Sequence, residues 1–313
     1  MNARKLTVAL VLAALATVAL VSLTGCPQPA PNDTSAIIPD DQAPPVQPTG
    51  DAQKIVQLGS TTVLPIADKW RVAFNELHPD VDMAVSGGGS GAGIEALVSG
   101  TCNIADASRS MKDKERAAAQ EAGFEPVEHT VAYDGIAVIV NPDNPLTSLE
   151  FHALSDIFVG DLTSWDQAGA PGLGSIQIIS RDSSSGTYEA FKEIVVALHN
   201  KDEERDYSPA ALKQASNQAV LALVAQTKGA IGYVGLGYVN DSVKTIAISP
   251  LDGGDTVEPT VANVKSGAYP ISRELFMYTH GEPEGIIKQY FDWGLGADGQ
   301  AIVADLGFVP LGE

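Results

Sequence analysis

Residues 180–188 read Ser180-Arg181-Asp182-Ser183-Ser184-Ser185-Gly186-Thr187-Tyr188, and the organisation of the chain can be worked out from them. The apolar run 176–179 before them predicts a buried strand, and the apolar residues that follow recur at helical spacing. The stretch is therefore predicted to be a turn between a strand and a helix. Its hydroxyls, its glycine and Arg181 are suited to holding an oxyanion. Taken alone, these residues are more readily interpreted as a serine-rich helix N-cap beside a surface arginine, because N-caps prefer such residues.

Two earlier turns have the same construction, in which a predicted strand is followed by Gly, Ser and Thr residues and then by a helix start. They are residues 59–62 and 86–91. Arg109 and Arg181 both lie next to predicted strands of this kind. In open α/β sheets, ligands bind beyond the carboxyl ends of the strands. Three such turns therefore favour an anion site over a coincidence of N-caps.

Composition limits the classes of partner. The chain has 313 residues, a formal net charge of −20 and 44% hydrophobic residues. Nucleic acids and anionic membrane surfaces attract basic patches, so neither is expected as a partner. Short apolar runs alternate with helical patterns after residue 54, which predicts an α/β protein long enough for two cores.

The N-terminus predicts export. Arg4 and Lys5 precede an apolar run that ends in Leu23-Thr24-Gly25-Cys26, which resembles the lipobox of bacterial lipoproteins. The resemblance implies a signal peptide over 1–25 and lipid attachment at Cys26. The alternative is an uncleaved membrane-spanning helix. Residues 26–53 are rich in proline and polar residues and predict an extended tether.

Catalytic and metal sites find little support in the pattern. No histidine is spaced with a second His or Cys as zinc ligands are, so neither a metal nor a cofactor is expected. Cys102 is then a small buried residue. Residues 87–92 fit a dinucleotide fingerprint, but the helix after them is too short for the usual crossover. A secreted phosphohydrolase stays open, because oxyanion holes and anion sites use the same donors.

Several motifs, in this order and spacing, resemble the periplasmic phosphate-binding proteins, the substrate-binding lipoproteins of high-affinity phosphate ABC transporters. The motifs are residues 59–65, 86–93, 105–112, 134–142, 181–187, 269–273 and 307–311. The resemblance implies the periplasmic-binding-protein type II fold, an α/β fold of two lobes with the ligand cleft between them. Residues 54–132 with 256–313 are expected to form lobe 1, and residues 133–255 lobe 2.

Carried over by position, the resemblance implies a set of phosphate ligands. They are Ser60, Thr61, Thr62, Ser90, Arg109, Asp134, Arg181, Ser185, Gly186 and Thr187.

The chain departs from the family at Arg109, where some members have an aspartate and others an arginine. Phosphate at neutral pH still carries a proton, and a carboxylate can accept it while repelling sulfate. With Arg109 in this place another acceptor is needed, and Asp134 is the first candidate and Asp182 the second. Either could instead only pair with an arginine. The residue two after Arg181, often acidic in the family, is Ser183.

The resemblance implies a non-enzymatic, monomeric phosphate receptor, anchored by lipid at the cell envelope, that delivers phosphate to the permease subunits of an ABC transporter. The alternatives are a receptor for another tetrahedral oxyanion, a secreted phosphohydrolase and an adhesin without a small ligand.

Overall fold

The structure, a computed structural model, describes residues 53–312. The predicted signal peptide, Cys26 and the predicted tether up to residue 52 lie outside the described residues. Within residues 53–312, none of the helices has the length and apolar character needed to cross a membrane.

Eleven strands and nine α-helices alternate along the described part of the chain. The strands are β1 (Lys54–Gly59), β2 (Asp82–Gly87), β3 (Ile104–Ala107), β4 (Pro126–Val140), β5 (Ser148–Leu149), β6 (Gln177–Arg181), β7 (Leu212–Gln214), β8 (Ala230–Gly235), β9 (Lys244–Thr245), β10 (Ala247–Ile248) and β11 (Ser272–His280). The helices are α1 (Leu64–Leu77), α2 (Ser90–Val98), α3 (Asp113–Glu121), α4 (Phe151–Val159), α5 (Gly186–Phe191), α6 (Asn217–Gln226), α7 (Val261–Lys265), α8 (Gly285–Gly294) and α9 (Ala297–Asp305). A π-helical turn, Lys192–Val196, continues α5.

Strand β4 organises the sheet. The strand order is β2-β1-β3-β11-β4-β8-β6-β7, and β9 pairs with β4. The first part of β4, up to Gly135, pairs antiparallel with β11, and the last part, from Ile136, pairs with β8. One strand therefore runs through both halves of the sheet, and Asp134 lies where its partner changes. Residues 135–140 are a continuous apolar run that by itself indicates a strand, whereas the earlier part of β4 is extended by a partner strand that lies far along the chain.

Apolar side chains form cores on both faces of each half of the sheet. Around β1, β3 and β11, Trp70, Phe74 and Tyr290 pack edge to face. Around β6, β8 and the end of β4, the ring of Phe191 stacks on that of Tyr233 at 3.9 Å. A large share of the stability comes from this apolar burial.

The cores also bear on the expected burial of Cys102 and on the expected boundaries of the two lobes. Cys102 is buried, as predicted, and burial raises the pKa of its thiol to about 12. The second core also takes in Val264, Tyr269 and Ile271. The residue bounds expected for the two lobes stay a prediction.

Candidate functional site

The three turns predicted from the sequence meet in the structure. The hydroxyls of Thr62, in the turn after β1, and Thr187, in the first turn of α5, lie 2.9 Å apart. The N–H of Gly91, in the first turn of α2, donates to the carbonyl of Ser184 at 3.0 Å. A Cβ built on Gly186 would lie 2.3 Å from Ser90 Oγ, so only glycine fits at this approach. Turns separated by up to 125 residues thus surround one small polar site.

Arg181 is the cation of this site, and it is only 1% exposed. Its Nε donates to the carbonyl of Gln214 at 3.2 Å, and its Nη2 donates to the carbonyl of Ala215 at 3.0 Å and to Thr61 Oγ1 at 3.1 Å. Among residues 53–312, Nη1 has no hydrogen-bond partner and no carboxylate forms an ion pair with this arginine. Burial lowers its pKa, yet an arginine stays protonated in a protein. The result is a buried positive charge with one nitrogen, and both of its N–H donors, free.

A buried tyrosine network fixes the backbone beneath Arg181. The Tyr233 hydroxyl accepts the Arg181 N–H at 3.2 Å and lies 2.9 Å from both Ser180 Oγ and the Tyr207 hydroxyl. Burial raises the pKa of both tyrosines, which stay neutral. A guanidinium held this way loses little conformational entropy when a ligand arrives.

The serines of the turns present hydroxyl protons. Ser185 caps α5, and its Oγ accepts the N–H groups of Thr187 and Tyr188 at 3.1 and 3.3 Å. Ser60 Oγ accepts those of Thr62 and Val63 at 3.1 and 3.4 Å in the same way. Because both lone pairs of each oxygen are used, each hydroxyl can only donate to a third group.

Asp134 is fully buried and is linked to the turns through Arg273. Its Oδ2 accepts from Arg273 Nη2 at 2.9 Å and Nε at 3.2 Å, and its Oδ1 accepts the N–H of Leu236 at 3.0 Å. Arg273 Nη2 also donates to Thr187 Oγ1 at 3.0 Å. Burial raises the pKa of Asp134, and the Arg273 guanidinium opposes the shift. Asp134 therefore pairs with an arginine and keeps one lone pair of Oδ1 free.

Arg109 lies next to the meeting segments but is bound by Glu115. Its Nη2 would lie 4.0 Å from a Cβ built on Gly91, and its Nε has no hydrogen-bond partner among the described residues. Its Nη2 and Nη1 donate to Glu115 Oε1 and Oε2 at 2.7 and 2.8 Å, and Nη1 also donates to the Ser110 carbonyl. Burial alone would raise the pKa of Glu115, but Arg109 and the Lys112 N–H bind its carboxylate and hold the pKa below the usual value. No hydrogen bond in the described residues joins Arg109 to the other expected ligands.

The remaining expected residues lie around the same point. Ser90 is fully buried and its Oγ accepts the Ser108 N–H at 3.1 Å. Thr61 is partly buried and contacts Arg181, while Asp182 Oδ1 accepts from Ser184 N and Oγ and is turned outward.

Sequence reasoning missed four residues of the site, which are Arg273, Asn217, Ser108 and Tyr238. Arg273 belongs to the motif at residues 269–273, but only the pairing register of β4 with β11 places it opposite Asp134. Asn217 begins α6 and donates to Thr62. The Tyr238 hydroxyl donates to the Thr61 carbonyl. No pattern in the sequence predicts that Tyr238 belongs to the site.

The amino-acid sequence of this chain is similar to those of a described protein family and of several named proteins. The family model of the PBP superfamily domain matches residues 44–298. The phosphate-binding protein PstS of Pseudomonas aeruginosa is 31% identical over 279 residues, which cover 84% of each chain. PstS of Bacillus subtilis is 32% identical over 254 residues, which cover 81% of this chain and 79% of the relative.

Solved structures are similar over the same region. A phosphate ABC transporter substrate-binding protein from Clostridium perfringens, solved with bound phosphate, is 32% identical with a TM-score of 0.74, and the match covers 83% of this chain and all of that one. An ABC-type phosphate transport receptor from Vibrio cholerae is 30% identical with a TM-score of 0.65, covering 82% of this chain and all of that one. The α/β fold of two lobes expected from the sequence is confirmed.

Proposed function

The chain belongs to the PBP superfamily and, within it, to the family of the phosphate-binding protein PstS, and from this premise we propose that it binds inorganic phosphate for an ABC transporter. The phosphate is bound outside the cytoplasmic membrane and is delivered to a permease. The protein is a receptor and not an enzyme.

One observation in the site carries the proposal. Arg181 is buried without a carboxylate, its Nη1 has no partner among the described residues, it contacts Thr61, and the turns of the site carry hydroxyls that can only donate. A buried charge without compensation is costly, so an anion that fills the site relieves a penalty and gains charge-assisted hydrogen bonds. Ser60, Thr61, Ser90, Ser185, Gly186 and Thr187 complete the shell in this proposal, and Thr62 supports it through its hydrogen bond with Thr187.

Asp134 is proposed as the acceptor of the phosphate proton. Its Oδ1 keeps a lone pair, and its partner Arg273 touches Thr187 at 3.0 Å. A carboxylate here favours phosphate, which carries a proton at neutral pH, over sulfate, which does not. Arg109 takes no direct part in the anion contacts in this proposal, because its guanidinium is engaged by Glu115.

Export and anchoring complete the proposal. The lipobox-like sequence at 23–26 supports lipid attachment at Cys26, and the tether would let a monomer reach the permease subunits. A receptor for another tetrahedral oxyanion is the runner-up, because the same donors would hold it. A phosphohydrolase would turn over a phosphate ester, and the similar proteins are named for binding and transport.

Calorimetric titration of the purified protein, freed of bound anion, tests the proposal. We expect one phosphate per chain, far weaker binding of sulfate and no release of phosphate from an ester. Binding of sulfate as tight as phosphate would favour the broader oxyanion receptor. Absence of heat with both anions would overturn the receptor function.

A further inference from the structure

A chain of three hydrogen-bonding side chains leads from α6 to the anion site. Asn217 Nδ2 lies 3.0 Å from Thr62 Oγ1, which lies 2.9 Å from Thr187 Oγ1. All three residues are fully buried. We call this chain, Asn217, Thr62 and Thr187, the relay.

The orientation of Asn217 is set by the backbone. Its Oδ1 accepts the N–H of Gly235 at 3.3 Å, and an N–H can only donate. The amide nitrogen must therefore face Thr62, and it can only donate to the Thr62 hydroxyl.

The direction of the Thr62 proton follows. Thr62 Oγ1 lies 3.0 Å from Asn217 Nδ2 and 3.4 Å from Arg273 Nη2. Neither nitrogen can accept a proton, and the two protons of Arg273 Nη2 are already directed at Asp134 and Thr187. The proton of Thr62 therefore goes to the one neighbouring acceptor, Thr187 Oγ1.

The Thr187 oxygen is then saturated. It accepts from Thr62 and from Arg273 Nη2 at 3.0 Å, so its own proton has no acceptor among the described residues and is presented to the ligand. Ser60, Ser185 and Arg181 also present donors, and Asp134 Oδ1 is the carboxylate acceptor of the site. One acceptor accommodates one ligand proton.

We infer that Asn217 is a positioning residue that, through Thr62, holds the Thr187 hydroxyl as a donor and thereby selects the dibasic form of phosphate over the monobasic form. The inference rests on the proposed function. The monobasic form brings a second proton, which would face a hydroxyl that can only donate, and such a clash leaves buried groups unpaired.

Asn217→Asp reverses the relay. The side chain keeps its size and its contact with Gly235, but a carboxylate oxygen now faces Thr62. The Thr62 proton turns to this carboxylate, the Thr187 proton turns to Thr62, and Thr187 offers a lone pair to the ligand. The matched control is Ser216→Asp, which adds the same charge one residue away and keeps an oxygen that can cap α6.

The experiment is calorimetric titration of the full chain with inorganic phosphate and with sulfate across neutral pH. Phosphate changes from monobasic to dibasic in this range, so wild-type affinity should rise about tenfold from pH 6 to pH 8. Ser216→Asp should bind more weakly at every pH and keep the rise. Asn217→Asp should lose the rise or reverse it. Thr62→Val, which cuts the relay without adding charge, should reduce the rise to less than about threefold.

Two outcomes separate the inference from its premise. If Asn217→Asp and Thr62→Val keep the wild-type pH profile while binding phosphate, the relay inference is overturned and the proposed function stands. If the folded wild-type chain binds neither anion, both the relay inference and the proposed function are overturned.

Discussion

Strands β3 and β6 both have an arginine at or just beyond the carboxyl end, Arg109 and Arg181, yet the two side chains have opposite surroundings. Arg109 is bound by the carboxylate of Glu115, six residues further on. Arg181 is held by the carbonyls of Gln214 and Ala215 and keeps one nitrogen unpaired among the described residues. The difference indicates that an arginine becomes a ligand group where the fold gives it neutral partners, which fix its position without cancelling its charge.

Arg181→Ala is the strongest challenge to this contrast. Removing the uncompensated cation should weaken phosphate binding at least about 1,000-fold, or about 4 kcal/mol. Calorimetry measures the affinity, and circular dichroism checks that the variant is folded. Wild-type affinity in a folded Arg181→Ala variant would contradict the proposed site.

The carboxyl end of β3 also carries a buried acid, because the side chain of Asp106 is fully buried. It accepts from Gln57 Nε2 at 2.7 Å, Oδ2 has no partner in the described part of the chain, and burial raises its pKa to about 7. Cys102 and Tyr290, the titratable groups that face it, stay neutral. The end of β3 thus carries an acid in the core that stays mostly protonated below about pH 7, while the end of β6 carries a permanent charge in the site.

Ionising Asp106 should destabilise the fold. In the unfolded chain the group ionises near pH 4, so the folded state loses stability as pH rises from there to about 7, by at most about 4 kcal/mol. Urea unfolding at several pH values should show Asp106→Asn gaining stability relative to wild type as pH rises. Parallel pH profiles for the two proteins would argue against a neutral Asp106.

Asp134→Asn extends the contrast to a third arginine, because Arg273 has a carboxylate partner at 2.9 Å and still touches the site. Replacing the acceptor should weaken phosphate binding about 10- to 100-fold, equal to about 1.5 to 3 kcal/mol. Sulfate binding should strengthen, because the repelling charge is gone. Competition between the two anions measures the ratio, and an unchanged ratio would assign the proton to another acceptor.

Arg109→Ala should have the smallest effect. Its ion pair with Glu115 is partly buried, so we expect a loss of about 1 kcal/mol in the free energy of unfolding. Phosphate affinity should stay within about threefold of wild type, or about 0.7 kcal/mol. A loss of phosphate affinity as large as that of Arg181→Ala would show that Arg109 contacts the anion directly.

Local patterns predicted most elements because each depends on neighbours in the chain. The helix α1 follows its apolar spacing with Pro65 in the first turn, and α2 begins at Ser90 after its glycine-rich turn. The length of β4 and the role of Arg273 were not predictable in this way. Both depend on pairing with β11, whose partner residues lie far along the chain.

Residue types and their order were enough to establish that strands end in Gly, Ser and Thr turns, that these turns can hold an anion, and that the chain has the motifs of a phosphate receptor. Folding was needed to establish that Arg181 and not Arg109 lacks a counter-ion, that Asp134 pairs with Arg273, and that Asn217 orients Thr62. The two differ because residue type sets which hydrogen bonds a group can make, whereas its charge balance and the direction of its protons depend on partners brought together by folding.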